Sequence, residues 1–325
     1  MFAGAPFALA LLVAACGIGP PGTITPAATS QPPTAPPPAT ATVAADLVLM
    51  IASPDDPSAW HVALTGLATD SGLRLETVDQ IPESLTAEVR LLVTMTDPED
   101  AARLALANPT VTVVVLGGSA DTPANIVRLI ESETAGIQAS FLAGYVGALI
   151  SSNYRVAAVL PDSGPAASEL ADAFTHGAQY YCGLCRATYP PFAAYPLVVT
   201  TAAEPGPNQI AVVQQALEAA GVGTVYLAPP LGQSQLASAL LELGLGVVLT
   251  SAAADSPADG VVAIIRPAPE LALQSFWDDW LAGDSEVSYS VPLAIADRNP
   301  NRLSDSRLRL VEQVLADLQA GYIQP

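Results

Sequence analysis

The sequence predicts an α/β protein of two lobes, each a parallel sheet flanked by helices. Three observations predict it. From Ala45 onward, apolar runs of strand length alternate with helix-length segments, the pattern of open parallel sheets. The alternation yields eight or more strands with a break near Ser151–Asn153, which favours two sheets over one. The chain has 325 residues, 51% of them hydrophobic and only 13% charged, so it can bury two cores.

In the first series, Asp46–Ala52 reads as a strand buried on both faces. A helix over Ser58–Asp70 stops before Ser71-Gly72. Leu73–Val78 and Val89–Thr94 are strands. Asp97-Pro98-Glu99-Asp100 opens a helix with acidic residues in its first turn, and Ala101–Ala107 continues it. Val111–Leu116 is a strand closed by Gly117-Gly118. Ala135–Ile150 is a long apolar helix whose Ala139, Ala143, Gly144 and Gly147 suit close packing.

The second series predicts strands at Val156–Leu160, Leu197–Thr201, Thr224–Ala228, Val247–Ser251 and Val261–Arg266. Helices are predicted at Ala166–Gln179, Gln209–Ala220, Gln233–Leu243, Glu270–Leu281 and Leu303–Ala320, with Tyr180-Tyr181 in a strand-like run. Lobe one is expected to hold residues 44–152 plus 259–290. Lobe two is expected to hold 153–258 plus 291–325. Hinge crossings are expected near Ser151–Asn153, Ala254–Pro257 and Val291–Ala294.

The first 43 residues read as processing and tether. Phe7–Ala15 is apolar and shorter than the roughly 20 residues a bilayer span needs, so residues 1–16 read as a signal peptide. Leu12-Val13-Ala14-Ala15-Cys16-Gly17 resembles the bacterial lipobox, which makes Cys16 the lipidated residue, although residues 1–15 carry no basic side chain. The alternative is an apolar segment with an incidental Cys. Residues 17–43 are rich in Pro, Thr and Ala and uncharged, the composition of an extended spacer. The expected location is the extracytoplasmic face of the cell membrane.

Composition narrows the chemistry. The formal charge is −20, with 31 acidic residues against 11 basic ones, the wrong sign for a nucleic-acid surface. All the basic residues are Arg, which removes a Schiff-base or phosphate-loop lysine. Two His and three Cys form no zinc-spaced cluster, so no metal or cofactor is expected. In an oxidising compartment a disulfide between Cys182 and Cys185 is favoured over a redox pair or free thiols.

Ligands of such folds sit at the carboxyl ends of strands. The candidates there are Asp55, Asp56 and Trp60 after the first strand, then Asp97, Gly118, Gly232, Thr250, Ser251 and Arg266. Trp60 can stack on a planar ligand, and Asp56 can accept hydrogen bonds from it. Trp60 can instead be the first core residue of its helix, with Asp55 or Asp56 as cap.

A family resemblance enters through the middle of the chain. Asn125-Ile126-Val127, Ala139–Tyr145 (Ala-Ser-Phe-Leu-Ala-Gly-Tyr), Arg155–Val159, Phe174–Ala178 and the ending Ala320–Pro325 resemble the basic membrane protein family of bacterial lipoproteins, the purine nucleoside receptor-like proteins. The resemblance implies a type I periplasmic-binding-protein fold. It also implies capture of a nucleoside-like solute for an ABC permease. The family's ribose-holding Asp late in the second lobe corresponds here to the stretch Leu249-Thr250-Ser251, and Arg266 stands where the family commonly has Lys. A surface or sensory lipoprotein of this fold that has lost its ligand is the alternative.

No enzyme is expected. There is no Gly-x-Ser-x-Gly elbow. His61 and His176 have no evident orienting partner. Trp277 aligns with Leu273 and Leu281 as a core stripe.

Overall fold

The computed structural model describes residues 46–52, 59–80, 82, 84–94, 98–117, 123–162, 167–184, 189–193, 195–250 and 259–325. The first sheet contains β1 (Leu47–Ile51), β2 (Arg74–Val78), β3 (Val89–Thr94), β4 (Thr112–Leu116), β5 (Ile126–Glu131) and β11 (Ser288–Val291). Its order is β11-β5-β4-β3-β1-β2, parallel throughout. The second contains β6 (Val156–Pro161), β7 (Leu197–Thr201), β8 (Thr224–Leu227), β9 (Gly246–Leu249), β10 (Val261–Pro267) and β12 (Leu293–Arg298). Its order is β12-β10-β9-β8-β6-β7, and only the β10–β12 pair is antiparallel.

The continuous apolar strands are buried on both faces because each sheet is covered on both. In β1, Val48 and Met50 point into a core with α1 (Ala59–Asp70) and α7 (Pro269–Ala282). Leu47, Leu49 and Ile51 point to the opposite face, into a core with α2 (Pro98–Ala107). The period of two in a strand requires this division. In the second sheet, Ala157 and Val159 face α5 (Pro207–Ala220) and α6 (Gln235–Glu242). Ala158 and Leu160 face α3 (Ala135–Ile150), α4 (Ala167–Cys182) and α8 (Asp305–Gln319).

The lobe boundaries differ from the sequence expectation. Helix α3 packs on the second sheet, not the first, so Ser151–Asn153 is a turn inside lobe two rather than a crossing. An apolar helix buried along most of its length needs cover on all sides, and only the groove between the second sheet, α4 and α8 supplies it. Strand β10 lies beside β9, so residues 261–267 belong to lobe two and not lobe one. The crossings are therefore Ser132–Thr134, Ala268 and Pro292.

Strands β5, β11 and β12 were not among the elements expected from sequence. Tyr180 and Tyr181 end helix α4 rather than forming a strand. Their rings pack on α3, with Tyr180 5.8 Å from Phe141 and Tyr181 5.5 Å from Tyr145. Aromatic β-propensity yields here to tertiary contact.

Two glycines allow α3 and α4 to touch backbone to backbone. A Cβ on Gly177 would lie 1.8 Å from Phe141 O, and one on Gly144 would lie 2.1 Å from Phe174 O. Neither neighbour is a movable side-chain tip, so the crossing exists only because both positions lack a side chain.

Candidate functional site

The chain crosses between the lobes at the carboxyl ends of strands. It leaves lobe one at the carboxyl end of β5, returns at the end of β10 and leaves again at the end of β11. All three crossings therefore lie at carboxyl ends, so the two parallel sheets turn those ends toward the same interlobe cleft. Proline brackets one crossing, Pro267-Ala268-Pro269, and forms another, Val291-Pro292-Leu293. Ala268 is fully buried, and its N–H donates to Pro292 O at 2.8 Å. From α8, Gln319 Nε2 donates to Leu293 O at 2.8 Å. The hinge strands thus brace each other, and the last helix holds one of them.

Several candidate residues lie outside the described residues: Asp55, Asp56, Asp97, Gly118 and Ser251, and also Cys16 and Cys185. The others are placed as follows.

Trp60 opens α1 and is 5% exposed, packed with Val48, Met50, Leu64, Leu273 and Phe276. This is the packing alternative of the two read from sequence. An indole enclosed on the helix side of the sheet presents no face to the cleft. Burying a side chain of this size contributes about 3 kcal/mol.

Arg266 ends β10 at the hinge. Its guanidinium grips Glu270 in a fork, Nη1–Oε2 3.2 Å and Nη2–Oε1 2.8 Å, and Nη1 also donates to Pro267 O at 2.7 Å. Both side chains are largely buried. Glu270 sits in the first turn of α7, where a carboxylate is favoured by the helix dipole. The pair ties the last strand of lobe two to the first helix back in lobe one. Sequence reading missed Glu270, because Arg266 lies on a strand and Glu270 on a helix, so no helical spacing links them.

Gly232 is buried in a short 3-10 turn over Leu231–Gln233 after β8. Ser234 follows and caps α6, accepting from Leu236 N at 3.3 Å and donating to Leu231 O at 2.7 Å. Thr250 follows β9, and its Oγ1 is buried with no hydrogen-bond partner among the described residues, an arrangement that costs free energy unless another group, a ligand or water meets it. Of the candidates that are described, Gly232, Thr250 and Arg266 lie at carboxyl strand ends, and Trp60 does not face them.

Cys182 is the last residue of α4, with Sγ 3.0 Å from Ala178 O. His176 is exposed on α4 and His61 half-buried on α1. Trp277 is 1% exposed in the lobe-one core, where its Nε1 donates to Ser71 Oγ at 2.9 Å. Three tyrosines among the described residues have raised phenol pKa values, and burial is the first cause for each. Burial raises Tyr226 beneath α3 and α4. Burial, then the neighbouring Tyr181 and Tyr180, raises Tyr145. Burial also raises Tyr289 of β11, whose hydroxyl donates to Asp279 Oδ2 at 2.8 Å.

No protein-family model and no curated relative matches the sequence. Solved structures do match in fold. A solute-binding protein of an ABC transporter system from Conexibacter woesei superposes with a TM-score of 0.61 at 14% identity, covering 87% of this chain and 98% of that one. A transcriptional activator of the comK gene from Bacillus halodurans gives 0.56 at 14% identity, covering 83% and 96%. A solute-binding protein of an ABC transporter system from Aeropyrum pernix gives 0.51 at 15% identity, covering 86% and 92%. Two six-stranded, mostly parallel sheets flanked by helices, with these neighbours, give the chain a type I periplasmic-binding-protein fold.

Proposed function

We propose that the chain is an exported solute-binding protein that closes its two lobes on a small molecule and delivers it to an ABC permease. Cys16 carries a lipid that holds the protein on the extracytoplasmic face of the membrane, and residues 17–43 are the spacer. The protein is not an enzyme. One observation carries the reading: three crossings join two separate sheets at their carboxyl strand ends, the arrangement in which hinged closure can trap a ligand between them. The ABC-transporter solute-binding proteins among the fold neighbours support it.

A nucleoside-like solute is the class supported by resemblance. Thr250 Oγ1, at a carboxyl strand end and without a hydrogen-bond partner among the described residues, supports a polar ligand. Thermal shift against nucleosides, sugars and amino acids tests the class. A rise with nucleosides alone supports it, a rise with another class changes the solute, and no rise with any class counts against a binding role.

A second reading is a lipoprotein of the same fold that has lost its ligand. Its support is that Trp60 is enclosed in the core and Arg266 is engaged by Glu270, which leaves both without the ligand contacts the resemblance implies. A disulfide between Cys182 and Cys185 is part of the proposal. Alkylation without reductant, read by mass spectrometry, is expected to leave both unlabelled; two labelled thiols would contradict the bond.

A further inference from the structure

We propose that a pocket at the opposite end of lobe two binds a phosphate-type oxyanion, independently of the cleft. The pocket has a volume of about 300 Å³ and is lined by Ser152, Asn153, Thr224, Asn301, Arg302 and Arg307 among others, with no carboxylate in its wall. It lies at the amino ends of the second sheet's parallel strands, beside the start of β8 and the end of α3, so it is not part of the interlobe site.

Two guanidinium groups enter this pocket, and neither has an ionic partner among the described residues. Arg302 Nε donates to the backbone carbonyl of Asp259 at 3.1 Å, and Arg307 Nη1 donates to the backbone carbonyl of Arg302 at 3.3 Å. Those are carbonyl contacts, which orient the groups without pairing their charge with a carboxylate among the described residues. Elsewhere in lobe two, Arg266 and Arg298 are each paired with a carboxylate, and Asp305 near the pocket is already engaged by Arg298. The contrast is sharper in a chain of net charge −20, where the segment from Arg298 to Arg309 holds four of the 11 basic residues.

The backbone is shaped to admit one of these groups. A Cβ on Gly246 would meet Arg302 Nη1 at 3.0 Å, Val262 Cγ2 at 3.0 Å and Thr224 Oγ1 at 3.5 Å. The guanidinium therefore lies over a position with no side chain, next to a hydroxyl. The turn below it is fixed, because Asn299 Oδ1 accepts from Asn301 N at 3.0 Å and Asn299 Nδ2 donates to Asp259 O at 2.9 Å. Two planar forks with nearby hydroxyl and amide donors match the geometry of a tetrahedral oxyanion. Both inorganic phosphate and a phospholipid headgroup present that chemistry.

The test is a thermal-shift titration of the full chain with inorganic phosphate against sodium chloride of equal ionic strength. Alongside it, wild type and the Arg302→Gln/Arg307→Gln variant are compared for sedimentation with phosphatidic acid vesicles. The site predicts a Tm rise of about 3 °C when phosphate reaches ~10 times its dissociation constant. It also predicts loss of that rise in Arg302→Gln/Arg307→Gln and its retention in Arg103→Gln, a surface arginine on the other lobe. A phosphate response assigns a free anion. Vesicle binding that depends on the two arginines, without a phosphate response, assigns a headgroup. A double variant that keeps the phosphate response overturns the proposal. So does a wild type that responds to neither probe while the double variant melts lower, because the arginines then serve only to balance the carbonyl end of α3.

Discussion

The helix-covered face of lobe two and the thinly covered face of lobe one solve the same problem differently. In lobe two, α3 and α4 cross with Phe141 and Phe174 carbonyls set against Gly177 and Gly144, and the sheet beneath is sealed by Phe174, Tyr226 and the small residues of α3. In lobe one, the crossover from β2 to β3 passes over β1 within residues 79–88, and the described residues of that segment form no helix. It leaves a cavity of about 280 Å³ lined by Leu47, Leu49, Val78, Pro82, Leu85 and Val89, among others. Parallel strands usually return through a helix. Where that helix is missing, packing is looser. The α3–α4 crossing of lobe two therefore tolerates no added atoms at Gly144 and Gly177, whereas the β2–β3 crossover face of lobe one has room to rearrange.

Substitutions can break this contrast. The largest effect is expected for Gly177→Ala. Its methyl would overlap a backbone carbonyl, so α4 must shift off α3, at a cost of about 4 kcal/mol, read as the shift of the urea midpoint. A change below about 1 kcal/mol would mean that the helices do not touch as described. Trp60→Ala is next, at about 3 kcal/mol, because it empties the helix side of lobe one. Ligand affinity measured on the folded fraction is expected to be unchanged. Weakened binding at undiminished stability would return Trp60 to the cleft. Leu85→Ala is expected to cost less than about 1 kcal/mol, since it enlarges an existing cavity instead of opening a packed core.

The smallest effect at neutral pH concerns Tyr226. Its hydroxyl is buried against Ser140, whose own hydroxyl donates to Leu170 O at 2.7 Å, so Tyr226→Phe is expected to change stability by less than about 1 kcal/mol there. Its phenol pKa is raised in the fold, so the neutral form is the one the native state favours. That contribution is complete below pH 10 and is lost as pH rises through 10 toward the folded value. Tyr226→Phe should therefore flatten the alkaline loss of stability. An unchanged profile would place that loss on Tyr145 and Tyr289, whose phenols shift in the same direction.

Much of the architecture was legible in the sequence because its signals are local. Continuous apolar runs such as Leu47–Ile51 and Val156–Leu160 sit between breakers, and glycine ends α5 and α7 with left-handed φ angles of 65° at Gly221 and 83° at Gly283. Strands β5, β11 and β12 were not legible. Val-Arg-Leu-Ile-Glu and Ser-Tyr-Ser-Val carry polar residues that make sense only at or near a sheet edge. The lobe boundary was misread because Ser151-Ser152-Asn153 looks like a linker, whereas the true crossing at Ser132–Thr134 is short and followed at once by a helix. Chain composition marks turns, but it does not say which sheet a helix will cover.

Less of the site was legible. Reading residues just after strands led to Thr250, Gly232 and Arg266. What Arg266 does depends on Glu270, across a proline-bracketed bend that periodicity does not reveal. Trp60 shows the limit of residue type as a guide. A tryptophan next to a cleft loop suits either stacking or packing, and only the orientation of α1 decides between them.

The central claim is that the interlobe cleft holds a small molecule. Native mass spectrometry of the full chain tests it most directly, comparing the mass as isolated with the mass after partial denaturation and refolding. The account predicts a discrete added mass that is lost on stripping and restored by the matching solute, with a rise in Tm. A chain that carries no added mass, and gains neither mass nor stability from nucleosides, sugars or amino acids, would contradict it.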